Sequence, residues 1–304
     1  MIKNIKFGTR GSPLALIQTN NVISKLKALI PNIKCHTKII KTYGDNNQES
    51  SLTLTEHLGL FASEIQQSLI NNEIDVAVHS LKDLPISHLK TLTIAAIPER
   101  KNPNDILYHP DGMNFNDLPT GSIVGTCSLR RTGQLRNLRS DIIIKDIRGN
   151  VETRMEKVHS GEYDAIVLAA AGLIRLNYDI SNYYKFNYNE ILPAPGQGAI
   201  AVEIRKDNKK LENLFKKIDN IKIRESTEIE RGILSHIGVG CSVPVGVITT
   251  TDPLNTIACI VNPENGKKIL VKEENWEGDR KKLIKVISTK LLSNGGNQII
   301  TKYN

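Results

Sequence analysis

The sequence predicts an α/β fold over its first two thirds and a separate α+β unit towards its C-terminal end. Three observations predict it. Strand-like apolar runs alternate with amphipathic helical patterns up to about residue 200. Beyond about residue 220 the pattern changes to one helix, three successive strand-like runs and a basic terminal helix. The chain has 304 residues, and single hydrophobic cores rarely grow past ~250–300 residues, so two or three packed units are expected.

The elements follow in order. Ile5 to Gly8 reads as a strand, and Ser12-Pro13 opens a helix as N-cap and first helical residue. Leu14, Ile17, Val22, Leu26 and Leu29 form its apolar face, and Pro31 follows its end. A polar, aperiodic stretch from Thr42 to Thr55 reads as a long functional loop. Phe61, Ile65 and Leu69 mark a second helix, which leads into the strand Ile74 to His79. Ser128 caps a helix, Ile142 to Ile147 reads as a strand, and the turn Gly149-Asn150 enters another helix. In the last third, Ser226 reads as the cap of a helix carrying Ile229, Ile233 and Leu234. Strands are expected over Val245 to Ile248, Thr256 to Val261 and Lys268 to Val271, then a helix from Arg280 to Leu292 whose lysines form a solvated face.

A faint internal repeat runs through the first two thirds. Phe7-Gly8-Thr9-Arg10-Gly11-Ser12 resembles Val124-Gly125-Thr126-Cys127-Ser128-Leu129, and Asn72 to Val78 resembles Gly161 to Val167. The extra length of the first copy falls where the polar loop sits.

Composition narrows the function. Apolar residues at 39% and charged residues at 24% are ordinary for a folded soluble chain. Forty Lys plus Arg against 32 Asp plus Glu leave a net charge of +8, which favours an anionic partner. Aromatic residues are only 5%, too few for stacking platforms, and no helix-turn-helix or zinc pattern is present, so no nucleic-acid partner is expected. The first seven residues hold no apolar core of signal-peptide length. The longest apolar run, Ala165 to Ile174, is about half a membrane span. A cytoplasmic protein without membrane contact is expected. Cys35, Cys127, Cys241 and Cys259 show neither C-x-x-C spacing nor a matched His pair; no metal site or disulfide framework is expected. Each cysteine is then a small buried residue, a nucleophile or an attachment point.

Seven of the thirteen arginines lie between Arg130 and Arg175. Arg130 and Arg131 fall in a first helical turn, where they oppose the helix dipole unless an anion is near. Arg148, Arg154 and Arg175 follow strand ends, the crevice position of open α/β sheets. Guanidinium groups there suit carboxylate or phosphate, whereas ion pairing with nearby acids is the plain alternative for any one of them. His79-Ser80-Leu81-Lys82-Asp83 occupies the equivalent position after another strand. Asp83 fits either a turn-capping role or a fixed carboxylate beside a reacting cation, and His79 fits a satisfied strand-end residue. Cys241 lies in a glycine-flanked loop.

Seven segments in order resemble the porphobilinogen deaminase (hydroxymethylbilane synthase) family. They are Thr9-Arg10-Gly11-Ser12-Pro13-Leu14-Ala15, His79 to Pro85, Gly125 to Arg131, Arg148-Gly149-Asn150-Val151, Tyr163-Asp164-Ala165-Ile166, Leu192 to Ala199 and Gly240-Cys241-Ser242-Val243-Pro244. The resemblance implies two periplasmic-binding-protein-like α/β domains around a cleft plus a smaller C-terminal α+β domain. These would be residues 1–98 with 199–216, 104–192 and 221–304. It implies a transferase of tetrapyrrole (haem) biosynthesis, acting as a monomer, with porphobilinogen as its small-molecule substrate. Four porphobilinogens would be joined head to tail on a covalent dipyrromethane primer, with loss of ammonia, and water would release hydroxymethylbilane.

It also implies roles. Cys241 would hold the cofactor by a thioether, and Asp83 with Lys82 would be catalytic, Asp83 stabilising the electron-poor azafulvenium left when ammonia departs. Ser80, Lys82, Asp83, Thr126, Ser128, Arg130, Arg131, Arg148 and Gly149 would contact the cofactor. Arg10, Ser12, Gln18, Phe61, Arg148, Arg154 and Arg175 would contact substrate. No metal is implied. Two segments depart from the family pattern. Thr55-Glu56-His57-Leu58-Gly59-Leu60-Phe61 lacks the usual lysines, and Asn102-Pro103-Asn104-Asp105 replaces Asp-Pro-Arg-Asp in a presumed hinge. A non-catalytic organic-anion-binding protein of the same architecture is the alternative; it would leave the Cys241 loop without a task.

Overall fold

In the computed structural model, which describes residues 2–42, 62–86, 89–238, 240 and 243–303, the chain starts with the strand Asn4–Thr9 (β1). Ser12 then caps Pro13–Leu29 (α1), its side chain accepting from Ala15 N, with proline in the first turn. Lys34–Ile39 (β2), Ser63–Ile70 (α2), Val76–Ser80 (β3) and Leu92–Ala96 (β4) follow. Next come Asp105–Tyr108 (β5), Ile123–Gly125 (β6), Leu129–Leu138 (α3), Ile143–Lys145 (β7), Val151–His159 (α4), Ala165–Ala169 (β8), Ala170–Arg175 (α5) and Tyr184–Lys185 (β9). Ile200–Arg205 (β10), Lys209–Phe215 (α6), Ile221–Ile237 (α7), Val245–Thr251 (β11), Leu254–Val261 (β12), Lys268–Glu273 (β13) and Arg280–Leu291 (α8) complete the main elements.

These elements form two units, Met1–Lys101 with Gly198–Glu225, and Asn102–Gln197 with Ser226–Asn304. The first is built on a five-stranded sheet, β2-β1-β3-β10-β4. The second holds a five-stranded sheet, β7-β6-β8-β5-β9, and an antiparallel three-stranded sheet, β11-β12-β13. The expected α/β pattern with a following α+β region is therefore observed.

The two five-stranded sheets share one topology. In each, the first three strands are parallel and the fourth is antiparallel to its neighbours. The repeat read from sequence lands on equivalent strands, β1 with β6 and β3 with β8. Its chemistry repeats as well. Asp75 Oδ2 accepts from Lys6 N at 2.8 Å and Asp164 Oδ2 from Ile123 N at 2.6 Å. In each copy the Asp N–H returns a bond to the carbonyl of that same residue. Asn72 and Gly161, at matching turns, both take positive φ (60° and 78°), which Asn and Gly tolerate best.

Phe7, Leu26, Val76, Val78, Ile200, Val202 and Phe215 fill one core of the first unit, with Phe7 and Phe215 edge-to-face at 6.3 Å. Phe115, Val124, Leu135, Val167, Phe186 and Ile191 fill one in the second. Val247, Ile260, Leu283, Ile287 and Leu291 are buried in the α+β region.

Most expected elements are found within one to three residues, but one boundary differs. Ser226 lies buried inside α7 rather than at its start. Asn220 is the better cap, its Oδ1 accepting from Ile223 N at 3.2 Å, so the helix begins more than a turn earlier. Residues 43–61, which contain most of the polar loop and Phe61, lie outside the described residues. No helix among the described residues is long and apolar enough to cross a membrane.

Gly125 ends β6 where the chain must pass close to its neighbours. A Cβ there would sit 2.9 Å from Ile166 Cγ2 and 3.0 Å from both Ile147 Cγ2 and Tyr163 Cδ1. Gly125→Ala is expected to cost about 1–3 kcal/mol, read as a lower urea midpoint at unchanged slope. A midpoint equal to the parent's would show that this approach is not tight.

Candidate functional site

In the first unit β1 and β3 are parallel neighbours, so their carboxyl ends lie at one edge of the sheet. Arg10 and Ser12 follow β1; Ser80 ends β3, with Lys82 and Asp83 after it. Gln18, buried one turn into α1, donates through Nε2 to Ser80 Oγ at 2.8 Å, which joins the two strand ends. Leu81–Asp83 forms a single 3-10 turn, pinned by buried Leu81 and Leu84 and by Leu81 N donating to Ala199 O at 3.0 Å. Asp83 stands exposed at the end of that turn, and Lys82 is half-buried.

His79 is the satisfied strand-end residue that base chemistry favoured. Its Nε2 lies 3.1 Å from Glu203 Oε2, and Gln66 Nε2 donates to both Glu203 oxygens at 2.9 and 3.2 Å. Sequence reasoning missed Glu203. The signal was a single acid inside the apolar run Ile200 to Ile204, a place where carboxylates occur only when paired.

In the second unit β6 is parallel to β7 and β8, and the candidate residues follow their carboxyl ends. Thr126 is buried and its Oγ1 accepts from Ser128 N at 3.2 Å, which shapes the turn into α3. Ser128 caps α3, accepting from Arg131 N. After β7, Arg148 and Gly149 lead into α4, capped by Asn150, whose Oδ1 accepts from Thr153 N at 2.8 Å. Gly149 has φ 116° and a Cβ there would meet Thr153 at 2.9 Å, so glycine is required twice over. Arg154 Nε donates back to Gly149 O at 2.8 Å. Arg175 is buried at the end of α5, a short helix beyond β8.

Arg130 and Arg131 have an internal anion. Arg130 Nη1 donates to Asp105 Oδ2 at 2.6 Å and Arg131 Nη2 donates to Asp105 Oδ1 at 2.7 Å. Arg130 Nη1 also reaches Leu192 O at 2.6 Å, and Arg131 Nη1 reaches Val167 O at 2.8 Å. Gln197 Nε2 completes the cluster, donating to Asp105 Oδ1 at 2.9 Å and Pro103 O at 2.6 Å. All four side chains are buried. Burial would raise the Asp105 carboxyl, but the two guanidinium groups hold it well below the usual carboxylate range. Burial pulls the Arg130 guanidinium below its ordinary value, against the pull of Asp105. Two guanidinium charges face one carboxylate, and Arg131 Nε has no acceptor among the described residues. The helix-dipole argument asked for an anion here; Asp105 supplies one negative charge for the two guanidinium groups.

Two further arginines of the seven in this cluster also have structural tasks. Arg139 forms a two-point pair with Asp141, and Arg136 donates to Pro263 O. Among the described cysteines, Cys259 is fully buried and its thiol is pushed up by burial, while Cys127 donates its S–H to Ile147 O at 2.8 Å. Cys241 lies outside the described residues. No cluster of three metal-ligating side chains occurs among the described residues.

Comparison with known proteins finds matches over most of the chain. Residues 5–213 match the family model described as porphobilinogen deaminase, dipyromethane cofactor binding domain, and residues 225–293 match the porphobilinogen deaminase C-terminal domain. Porphobilinogen deaminase of Brevibacillus brevis is 43% identical over 268 residues, covering 87% of this chain and 86% of that one. The Thermus thermophilus protein of the same name is 38% identical over 300 residues, covering 97% of each. Among solved structures, the probable amino-acid ABC transporter extracellular-binding protein ytmK from Bacillus subtilis aligns at a TM-score of 0.44 and 14% identity. That alignment covers 72% of this chain and 90% of that one.

Because the Asp105 carboxyl is held below its unfolded value, the folded protein binds fewer protons than the unfolded chain between the two. Its contribution to stability is complete above about pH 4 and is lost as pH falls below that. Asp105→Asn is expected to cost about 3–5 kcal/mol at pH 7, since it leaves two buried guanidinium groups uncompensated. Urea titrations at pH 7 and pH 3 should show the gap to the parent narrowing at the lower pH. A gap that is constant with pH would mean Asp105 is not the charged centre of the cluster.

Proposed function

The chain belongs to the porphobilinogen deaminase family, and from that premise we infer that it catalyses the head-to-tail condensation of four porphobilinogen molecules and releases hydroxymethylbilane. The match of both family models, over residues 5–213 and 225–293, carries this reading. On it the protein is a transferase of porphyrin and haem biosynthesis, and we propose further that it is monomeric and cytoplasmic, with three domains at residues 1–98 with 199–216, 104–192 and 221–304.

The residues present fit a dipyrromethane cofactor. Pyrrole acetates and propionates are carboxylates, and the strand ends carry arginines, a lysine and hydroxyls suited to them. The Arg130–Asp105–Arg131 cluster holds one positive charge more than it neutralises, and Arg131 Nε is a buried donor still to be satisfied within the described set. When bound, the dipyrromethane supplies the primer and its free pyrrole carbon. Cys241 anchors it by a thioether made once. Ser80, Lys82, Asp83, Thr126, Ser128, Arg130, Arg131, Arg148 and Gly149 are the residues we assign to contact with it. Arg10, Arg148, Arg154 and Arg175 serve the carboxylates of the incoming substrate, with Ser12, Gln18 and Phe61 as further contacts.

Asp83 takes the catalytic role, with Lys82 beside it. Its backbone stands on a turn seated by buried leucines, so the carboxylate has a fixed base from which to meet the positive charge that develops on the substrate's pyrrole nitrogen. A preorganised carboxylate stabilises that charge without reorganising during the reaction.

The chain purified from a porphobilinogen-producing host is expected to exceed its sequence mass by one dipyrromethane in an intact-mass measurement, and Cys241→Ser to lack the increment. A parent chain of bare mass would remove the covalent-primer reading. Asp83→Asn is expected to fold as the parent does yet turn over about 100-fold or more slowly. Near-parent turnover would take Asp83 out of its central role.

A further inference from the structure

The segment Leu192–Gln197 has almost no regular structure and is almost entirely buried. Buried backbone outside helices and sheets must find partners for its N–H and C=O groups. Here side chains and one strand provide them. Gln134, one turn along α3 from Arg130, clamps Leu192 from both sides: its Oε1 accepts from Leu192 N at 2.8 Å and its Nε2 donates to Leu192 O at 3.0 Å. Pro193 O accepts from Val247 N of β11 at 2.9 Å. Gly196 N donates to Glu230 Oε2 of α7 at 2.7 Å. The other Glu230 oxygen accepts from Thr249 N of β11 at 2.9 Å, so one buried carboxylate ties α7 to β11 directly. Gly246 of β11 approaches so closely that a Cβ would sit 2.8 Å from Leu192 O.

Two features outside the segment give this node a meaning. α7 ends at Ile237 and β11 begins at Val245, so Glu230 braces the two stems of the stretch that carries Cys241. Arg130 donates to the same Leu192 carbonyl that Gln134 clamps.

We propose that Gln134 and Glu230 are positioning residues, which act through Leu192–Gln197 to hold the stems of the 238–244 stretch in register with the Arg130–Arg131 pair. Neither touches the ligand. They set where the two stems stand relative to the guanidinium groups that take the cofactor's carboxylates, and a displacement of ~1 Å at such a site can slow a reaction ~100-fold. This inference rests on the cofactor reading given under Proposed function.

The test uses the full chain expressed without porphobilinogen, then supplied with it while the gain of dipyrromethane mass is followed by intact mass spectrometry. Glu230→Gln and Gln134→Met, both close in size to the parent residue, are expected to load about 10–100-fold more slowly per folded molecule. Leu283→Ala, a core substitution in the same α+β region, controls for lost stability and is expected to load at the parent rate. Parent-like loading by the two variants overturns the proposal, and so does equal slowing by Leu283→Ala. If Glu230→Gln does not fold, Gln134→Met decides alone. A parent chain that gains no mass instead removes the cofactor reading, and this proposal with it.

Discussion

A carboxylate with no exposure, Asp105, sits between two guanidinium groups at the point where the chain enters its second unit. That ion triad is the constraint on which the rest of the second unit's site depends. Without Asp105, Arg130 and Arg131 would be two like charges buried in the first turn of a helix whose dipole already opposes them. With it they stay charged and fixed, and their remaining N–H groups are free to be aimed. Leu192 O and Val167 O take two of them. The cluster also draws in Gln197, the last residue of the segment through which the chain leaves. Entry strand, exit segment and arginine helix are thus set by one carboxylate.

The two units solve a common problem in different ways. In each, a parallel trio of strands delivers polar residues to one edge, and a matching Asp, Asp75 or Asp164, secures the strand start at the far side. The edges then diverge in chemistry. The first unit buries its own acid, Glu203, under His79 and Gln66 and leaves Asp83 in solvent. The second buries its acid among arginines and leaves Arg148 and Arg154 half-buried. One unit therefore presents an exposed carboxylate after a strand end, and the other presents arginines.

Local features of this architecture were legible in the sequence because they are fixed by neighbouring residues. Ser12-Pro13 and Ser128 cap their helices through bonds three residues away, and Gly149-Asn150 shapes its turn in the same way. The repeat was legible for the same reason. Asp105 and Glu203 were not, since their partners lie 25 and 137 residues away and only tertiary packing makes a carboxylate in an apolar strand tolerable. The same limit hid the task of Leu192–Gln197, a motif whose residues are held by α3, α7 and β11. Ser226 was misread because a serine before an apolar run looks like a cap wherever it falls, and Asn220 had already started the helix.

Net charge first pointed to an anion without naming one, and the structure changes which charges count. Lysines of α8 lie largely in solvent, where water and salt screen them and they select no ligand. Buried guanidinium groups behave otherwise. Removed from water, they must be matched bond for bond, and a surplus of one charge beside a buried, unaccepted Nε–H favours a ligand that brings its own carboxylate. A polymeric phosphate backbone would be met by a broad exposed basic face, not by a pair sunk beneath a helix cap. A short chain of pyrroles, each carrying two carboxylates on a flat ring, presents small anions singly and at intervals. Separate arginines after separate strands suit a ligand of that kind, which is the reading proposed above.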